Sequence, residues 1–185
     1  MSPVMKFDTY AIRFLEEGDL NTYYSLIDNN RKRLEDFFAG TVAQTRTLSD
    51  TKIHLEEILL KTGKGNYFPF IVEDLKTQKI ICSIQVKNVD WSIPKAELGY
   101  YIDSAYSGKG IVSRATGMII DYCFTQKAFN KLFIRTHRAN TASIKVAEKN
   151  GFKLEGTIRK DYKTTSGELV DLLYYGLLNE ERIKK

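Results

Sequence analysis

The spacing of apolar and polar residues divides the first third of the chain into one strand and several amphipathic helices. Apolar residues alternate with other residues over 10–15, which predicts an opening strand. Helical spacing follows and predicts helices over residues 20–27 and 31–38, and a longer one that begins after residue 49 or 50 and ends near residue 63. Asp19 is suited to cap the first of these helices, and Ser49 or Asp50 is suited to cap the last.

The rest of the chain is dominated by period-two patterns. They predict strands over residues 67–73, 80–86, 96–103, 132–137, 152–162 and 168–177. Helices are predicted from about Ile111 to Gln126 and from Thr141 to Lys149. This order predicts an α/β (α+β) protein with a mixed, mostly antiparallel central sheet of about seven strands flanked by helices. We find no repeat or linker, so residues 1–185 are predicted to form a single domain.

Composition narrows the class of protein. The chain has 185 residues, of which 43% are hydrophobic and 28% charged, enough apolar mass for a packed core. No apolar run approaches the roughly 20 residues of a membrane span, and the first residues lack the apolar core of a signal peptide. Cys82 and Cys123 lie in apolar stretches and are predicted to be buried free thiols. We therefore expect a cytoplasmic protein that does not interact with membranes.

The net charge of +5 favours a small anionic ligand over a polynucleotide. The basic run at residues 31–33 is followed at once by acidic residues, and no basic stripe with interleaved aromatic residues is present. We therefore expect no nucleic-acid partner. The two histidines and two cysteines lack ligand spacing, so we expect no metal site.

The stretch of residues 100–114 suggests a phosphate site. A predicted strand enters a loop with Gly108 and Gly110, and the loop opens directly into a helix. Glycine tolerates positive φ, and a helix N-terminus offers unpaired N–H groups to an anion. Lys109 and Arg114 add positive charge. The ATP/GTP loop and the dinucleotide fingerprint do not match these residues, and a turn with glycines for geometry alone is the alternative.

A second segment, residues 140–152, follows one strand later. Asn140 or Thr141 is suited to cap its helix, and residues 150–151, Asn-Gly, form a left-handed stop. Together the two segments resemble the GNAT acetyltransferases, in particular the RimJ/RimL type that acetylates the N-termini of ribosomal proteins. The similar segments are residues 11–15, 96–103, 107–111, 140–143 and 148–156.

The resemblance implies acetyl-CoA as co-substrate and a set of residues that bind it. Main-chain amides of Ser107, Gly108, Lys109, Gly110, Ile111 and Val112 would hold the pyrophosphate. The backbone of the strand at Leu98, Tyr100, Tyr101 and Ile102 would pair with the pantetheine arm, and Asn140 and Ser143 would lie near the thiol end. The family loop usually begins with Gln or Arg where this chain has Ser107. Because main-chain amides bind the pyrophosphate, we expect binding to tolerate that change.

Acetyl transfer to an amine needs a free amine, a donor for the developing oxyanion and help for the leaving thiolate. By resemblance, the oxyanion donor is the main-chain N–H of Tyr100 or Tyr101. Ser143 is the candidate acid for the thiolate, with a helix cap as the alternative. Glu97 is the candidate base, with a solvated or salt-bridged strand residue as the alternative. Asp171 is expected to satisfy buried loop amides.

The acceptor is the open question. The resemblance implies a protein or peptide N-terminus. The alternatives are a small amine such as a polyamine or an aminoglycoside, and a non-catalytic acyl-CoA sensor. Family members often form homodimers, which is our expectation here. His137 and Trp91 are each assigned either to the cleft or to packing, and His54 to the surface or its boundary.

Overall fold

A computed structural model describes residues 4–182, and its centre is one sheet of eight strands. The strands are β1 (Met5–Phe7), β2 (Tyr10–Phe14), β3 (Phe68–Asp74), β4 (Lys79–Asp90), β5 (Lys95–Ile102), β6 (Lys131–His137), β7 (Lys153–Lys163) and β8 (Leu169–Leu178). Their order is β1-β2-β3-β4-β5-β6-β8-β7, and only β5 and β6 pair in parallel. The predicted mixed, mostly antiparallel sheet is confirmed. β1 was not predicted, because three residues are too short to show an alternating pattern.

Six helices flank the sheet within the described residues. They are α1 (Leu20–Asp28), α2 (Arg31–Leu34), α3 (Ala39–Gln44), α4 (Leu48–Gly63), α5 (Ile111–Gln126) and α6 (Thr141–Lys149). The helix predicted over residues 31–38 is wrong in length, since α2 ends at Leu34. α3 was missed, because six residues that include a glycine and two β-branched side chains carry no helical period. No described helix is long and apolar enough to span a membrane.

The side-chain caps of α1 and α4 differ from the predicted ones, although Asp19 does stand at the N-cap position of α1. The Asp19 side chain does not cap α1; its carboxylate accepts hydrogen bonds from Arg13 (2.7 and 2.8 Å) and from the N–H of Glu16. α4 is capped by Thr47, whose hydroxyl accepts from the N–H of Asp50 at 3.1 Å. Asp50 in turn accepts from the N–H of Thr47, so it completes a capping box instead of capping the helix itself.

Each face of the sheet has its own core. One face packs against α5 and α6, and the other against α1 and α4. β5 contributes to both, because side chains alternate along a strand: Tyr100 enters the first core and Tyr101 the second. The hydroxyl of Tyr101 donates to that of Tyr23 at 3.2 Å inside the second core. Cys82 and Cys123 are buried free thiols, as predicted, and burial raises the pKa of both.

The sheet opens between β5 and β6. These strands pair only over residues 95–97 and 131–133, whereas β5 stays paired with β4 up to Ile102 and β6 stays paired with β8 up to His137. The two strands therefore diverge after Glu97 and Phe133. The divergence leaves one edge of the β5 backbone without a neighbouring strand and creates the cleft described next.

Candidate active site

A cleft of about 120 Å³ lies where β5 and β6 diverge. It is walled by residues 97–100 of β5, residues 134–137 of β6 and the start of α6. The segment between α2 and α3 adds Phe37 and Phe38, and β7 adds Asp161 and Tyr162. Of the predicted site residues, the cleft brings together Glu97, Leu98, Tyr100, Asn140 and Ser143.

Glu97 is a buried carboxylate in a charged network. Its Oε2 accepts hydrogen bonds from Asn88 Nδ2 at 2.6 Å and from Arg135 Nη2 at 2.8 Å. Arg135 also donates from Nη1 to Asp161 at 2.7 Å, so one guanidinium joins carboxylates of β5 and β7. Burial lowers the pKa of Arg135, but its bonds and charges with Glu97 and Asp161 outweigh burial and raise it. The salt-bridged alternative for Glu97 is therefore correct as a description of its contacts.

Asn140 and Ser143 hold different positions at the start of α6. The side-chain oxygen of Asn140 accepts from the N–H of Ser143 at 3.1 Å, so Asn140 is the helix cap and Ser143 is not. The Ser143 hydroxyl lies 3.1 Å from the hydroxyl of Tyr100, which also donates to the Ser143 carbonyl at 3.0 Å. Burial raises the pKa of Tyr100.

The glycine loop has the conformation that the sequence predicts. Gly108 and Gly110 both have φ of +77°, and α5 begins directly after Gly110. Gly110 carries no side chain to cap α5, so the N–H groups of the first turn remain for a ligand. Residues 107–110 are exposed, Ile111 is buried and Val112 is half-buried. The N–H of Ser107 is already used, because it donates to Ser104 at 3.2 Å.

The two basic side chains near this loop differ in whether their charge is paired. Lys109 is exposed, with its ammonium 5.1 Å from the centre of the Tyr106 ring. Arg114 binds both carboxylate oxygens of Asp8 at 2.8 Å and lies over Phe7. The expectation that both add positive charge at the loop is therefore wrong for Arg114, whose charge is matched by Asp8.

Of the other two residues assigned either to the cleft or to packing, one lies in the cleft and one packs on the core. His137 lines the cleft beside Phe37, and its Nδ1 accepts from the N–H of Ala139. Trp91 stacks on Phe129 at 4.8 Å and lies outside the cleft, so it covers the core.

Two further expectations concern residues away from the cleft. His54 is half-buried in α4, and burial lowers its pKa. Asp171 is exposed and accepts from the N–H of Lys160 on the neighbouring strand, so its expected role in satisfying buried loop amides is wrong.

Sequence reasoning missed the side chains on the acceptor side of the cleft. Arg135 had a signal in the sequence, since it is a charged residue directly after the apolar run 132–134 of a predicted strand. Asp161 and Tyr162 lie on the exposed edge strand β7, and no sequence pattern indicated them. Phe37 and Phe38 fall in the segment where the predicted helix was too long.

The sequence profile of the acetyltransferase (GNAT) domain matches residues 11–153. The chain belongs to the GNAT acetyltransferase family. It is an acetyl-CoA-dependent N-acetyltransferase. A putative ribosomal N-acetyltransferase, YdaF of Bacillus subtilis (strain 168), is 32% identical over 176 residues, which cover 92% of each chain.

Two other similarities bear on fold and on substrate range within the family. Spermidine N(1)-acetyltransferase of Escherichia coli (strain K12) is 27% identical over 152 residues, covering 82% of this chain and 76% of the relative. The solved structure of RimL, a ribosomal L7/L12 α-N-protein acetyltransferase in complex with coenzyme A, superposes with a TM-score of 0.88 at 18% identity. The match covers 95% of this chain and 98% of that one, and it confirms the GNAT fold.

Proposed function

We propose that acetyl-CoA binds across the glycine loop and the open edge of β5. The main chain of residues 108–112 suits a pyrophosphate, because the uncapped N-terminus of α5 combines free N–H groups with the positive end of the helix dipole. The backbone of residues 98–102 suits the amides of the pantetheine arm, since β6 no longer pairs with this edge. The thioester would then lie in the cleft, near Asn140 and Ser143.

The same strand edge offers an oxyanion donor. Successive N–H groups of a strand point to opposite edges, so only one of Tyr100 and Tyr101 directs its N–H into the opening. A donor held by the sheet needs no reorganisation when charge develops on the thioester oxygen, which is the condition for strong electrostatic stabilisation.

For the acceptor, we propose the N-terminal α-amine of a protein or peptide. The contact that carries this proposal is the pairing of both cleft carboxylates, Glu97 and Asp161, with Arg135. A polyamine needs a separate anionic partner for each ammonium, and neither of these carboxylates is unpaired. A single amine on an otherwise neutral backbone matches the arrangement better, and Phe37, Phe38 and Tyr162 provide apolar surface for the first side chain. The YdaF and RimL similarities point in the same direction.

A panel of acceptors tests this proposal. Peptides with free N-termini are expected to be acetylated with kcat/KM at least about tenfold above spermidine or an aminoglycoside, the discrimination that about 1.4 kcal/mol provides. Thiol release gives the rates, and mass spectrometry locates the acetyl group. The matched control is the same peptide with a blocked N-terminus and one internal lysine. Preference for spermidine would contradict the proposal, and acetyl-CoA binding without turnover of any amine would favour the sensor alternative.

We propose that Glu97 draws the proton from the attacking amine, directly or through water. Its Oε2 is used by Asn88 and Arg135, which fixes the carboxylate at the cleft wall. An α-amine has a pKa of about 7.7–8.0, so at pH 7 most of it is protonated and a base has to take its proton, although a weaker base suffices than for a lysine amine.

Glu97→Gln is therefore expected to lose about 100-fold in kcat/KM at pH 7, in the range of general-base contributions. The loss should shrink to less than about tenfold above pH 9, where the amine is already neutral. A profile of kcat/KM from pH 6 to 9.5 for both proteins measures this. Equal rates at every pH would remove Glu97 as the base.

A further inference from the structure

The cofactor side of the cleft carries a pair of hydroxyl groups from two different elements. Tyr100 extends from β5 towards α6, and Ser143 lies at the third residue of α6. Their hydroxyl oxygens are 3.1 Å apart, and the Tyr100 hydroxyl is also 3.0 Å from the Ser143 carbonyl. Both residues line the cleft. Two hydroxyls at this separation share one hydrogen bond, whose direction either group can set.

The Tyr100 hydroxyl keeps its proton. The residue is only 9% exposed, and burial raises the pKa of its phenol above the usual value of about 10. A thiol of the cysteine kind has a pKa of about 8.5, so a thiolate does not take the proton of this phenol. Tyr100 is therefore a permanent donor and not the final acid.

This donor decides where the Ser143 proton points. When Tyr100 donates to the Ser143 oxygen, the serine hydroxyl cannot direct its own proton back at that donor and turns it into the cleft. A negatively charged sulfur in the cleft favours this direction. The hydrogen bond from Tyr100 polarises the Ser143 hydroxyl and thereby strengthens the hydrogen bond from Ser143 to the sulfur. When the cleft holds no charge, the Tyr100 hydroxyl can donate to the Ser143 carbonyl instead.

We propose that Tyr100 is a positioning residue for the leaving group, aiming the Ser143 hydroxyl at the thiolate through its own hydroxyl. In the step, the C–N bond forms and the C–S bond breaks, with its electron pair passing to sulfur. The amine proton leaves on the acceptor side, by Glu97 or water, and the sulfur departs as a thiolate held by the Ser143 hydrogen bond. Neither hydroxyl loses its proton. The inference rests on the proposed placement of the thioester beside Ser143.

Tyr100→Phe tests the inference, because it removes the hydroxyl and keeps the ring in the core. We expect kcat to fall about tenfold, the effect of weakening one hydrogen bond to a charged group, with KM for acetyl-CoA unchanged within about twofold. Ser143→Ala should lower kcat at least as much. The double variant should be no slower than Ser143→Ala alone, because Tyr100 acts only through that hydroxyl. Rates are measured with the best acceptor of the panel above.

Tyr23→Phe is the matched control, since it also deletes a buried tyrosine hydroxyl hydrogen-bonded to a residue of β5, but on the opposite sheet face. It is expected to lower stability and leave kcat unchanged. If Ser143→Ala has full activity, the placement of the thioester is wrong. If Ser143→Ala is slow but Tyr100→Phe is not, or if the two losses multiply in the double variant, the positioning role is wrong while the placement stands.

Discussion

Gly110→Glu is expected to abolish the stabilisation that acetyl-CoA gives the protein. The new carboxylate would stand at the N-terminus of α5, where the proposed pyrophosphate binds, and would repel it. Acetyl-CoA at 100 times its dissociation constant adds about 2.7 kcal/mol to the unfolding free energy of the unchanged protein. That corresponds to a rise of about 5–10 °C in Tm for a chain of this size. Thermal unfolding with and without acetyl-CoA measures the difference.

The control for this experiment is Gly65→Glu. Gly65 has φ of +72°, close to the +77° of Gly110, and neither position has a heavy atom within 4 Å of an added Cβ. Both variants therefore carry the same backbone strain, of order 1–3 kcal/mol. Gly65→Glu should keep the full rise in Tm with acetyl-CoA, because the Gly65 carbonyl accepts from Trp91, which precedes β5, whereas the glycine loop follows the other end of β5. An unchanged rise in Gly110→Glu would show that the glycine loop does not hold the pyrophosphate.

Arg135→Met is expected to lower the free energy of unfolding by about 2–4 kcal/mol at pH 7. The variant leaves the Glu97 carboxylate, whose side chain is only 6% exposed, without its cationic partner. Arg135 itself is 27% exposed, so solvent reduces the effect below that of a fully buried pair. Urea denaturation of both proteins at pH 7 gives the difference, because the linear extrapolation compares them under one condition.

Two further variants show that the loss comes from the unpaired charge. Arg114→Met breaks the ion pair with Asp8, whose side chains are 55% and 59% exposed, and should change stability very little. The double variant Glu97→Gln, Arg135→Met removes the carboxylate charge as well and should recover part of the loss. A single variant Arg135→Met as stable as Arg114→Met would show that the network does not contribute to stability.

Local signals account for what the sequence predicted well. α5 and α6 begin and end at the predicted residues, because glycine or asparagine stands at each start and a strong apolar period follows. The hairpin of β3 and β4 was found from its alternation and turn. β1 and α3 were missed because each is too short for a period to repeat. Homodimer formation and a cytoplasmic location stay predictions.

The sequence by itself determined the fold class, the family resemblance and the conformation of the glycine loop. These depend on residues close in the chain: Gly108 and Gly110 adopt positive φ, and α5 starts at the next residue. Only the tertiary structure decided what surrounds the reacting atoms. Arg135 meets Glu97 across 38 residues and Asp161 across 26, and both contacts depend on how strands pair. The pairings of β5 with β6 and of β6 with β8 join strands that no short turn connects, so packing of the whole sheet sets them and not a local pattern.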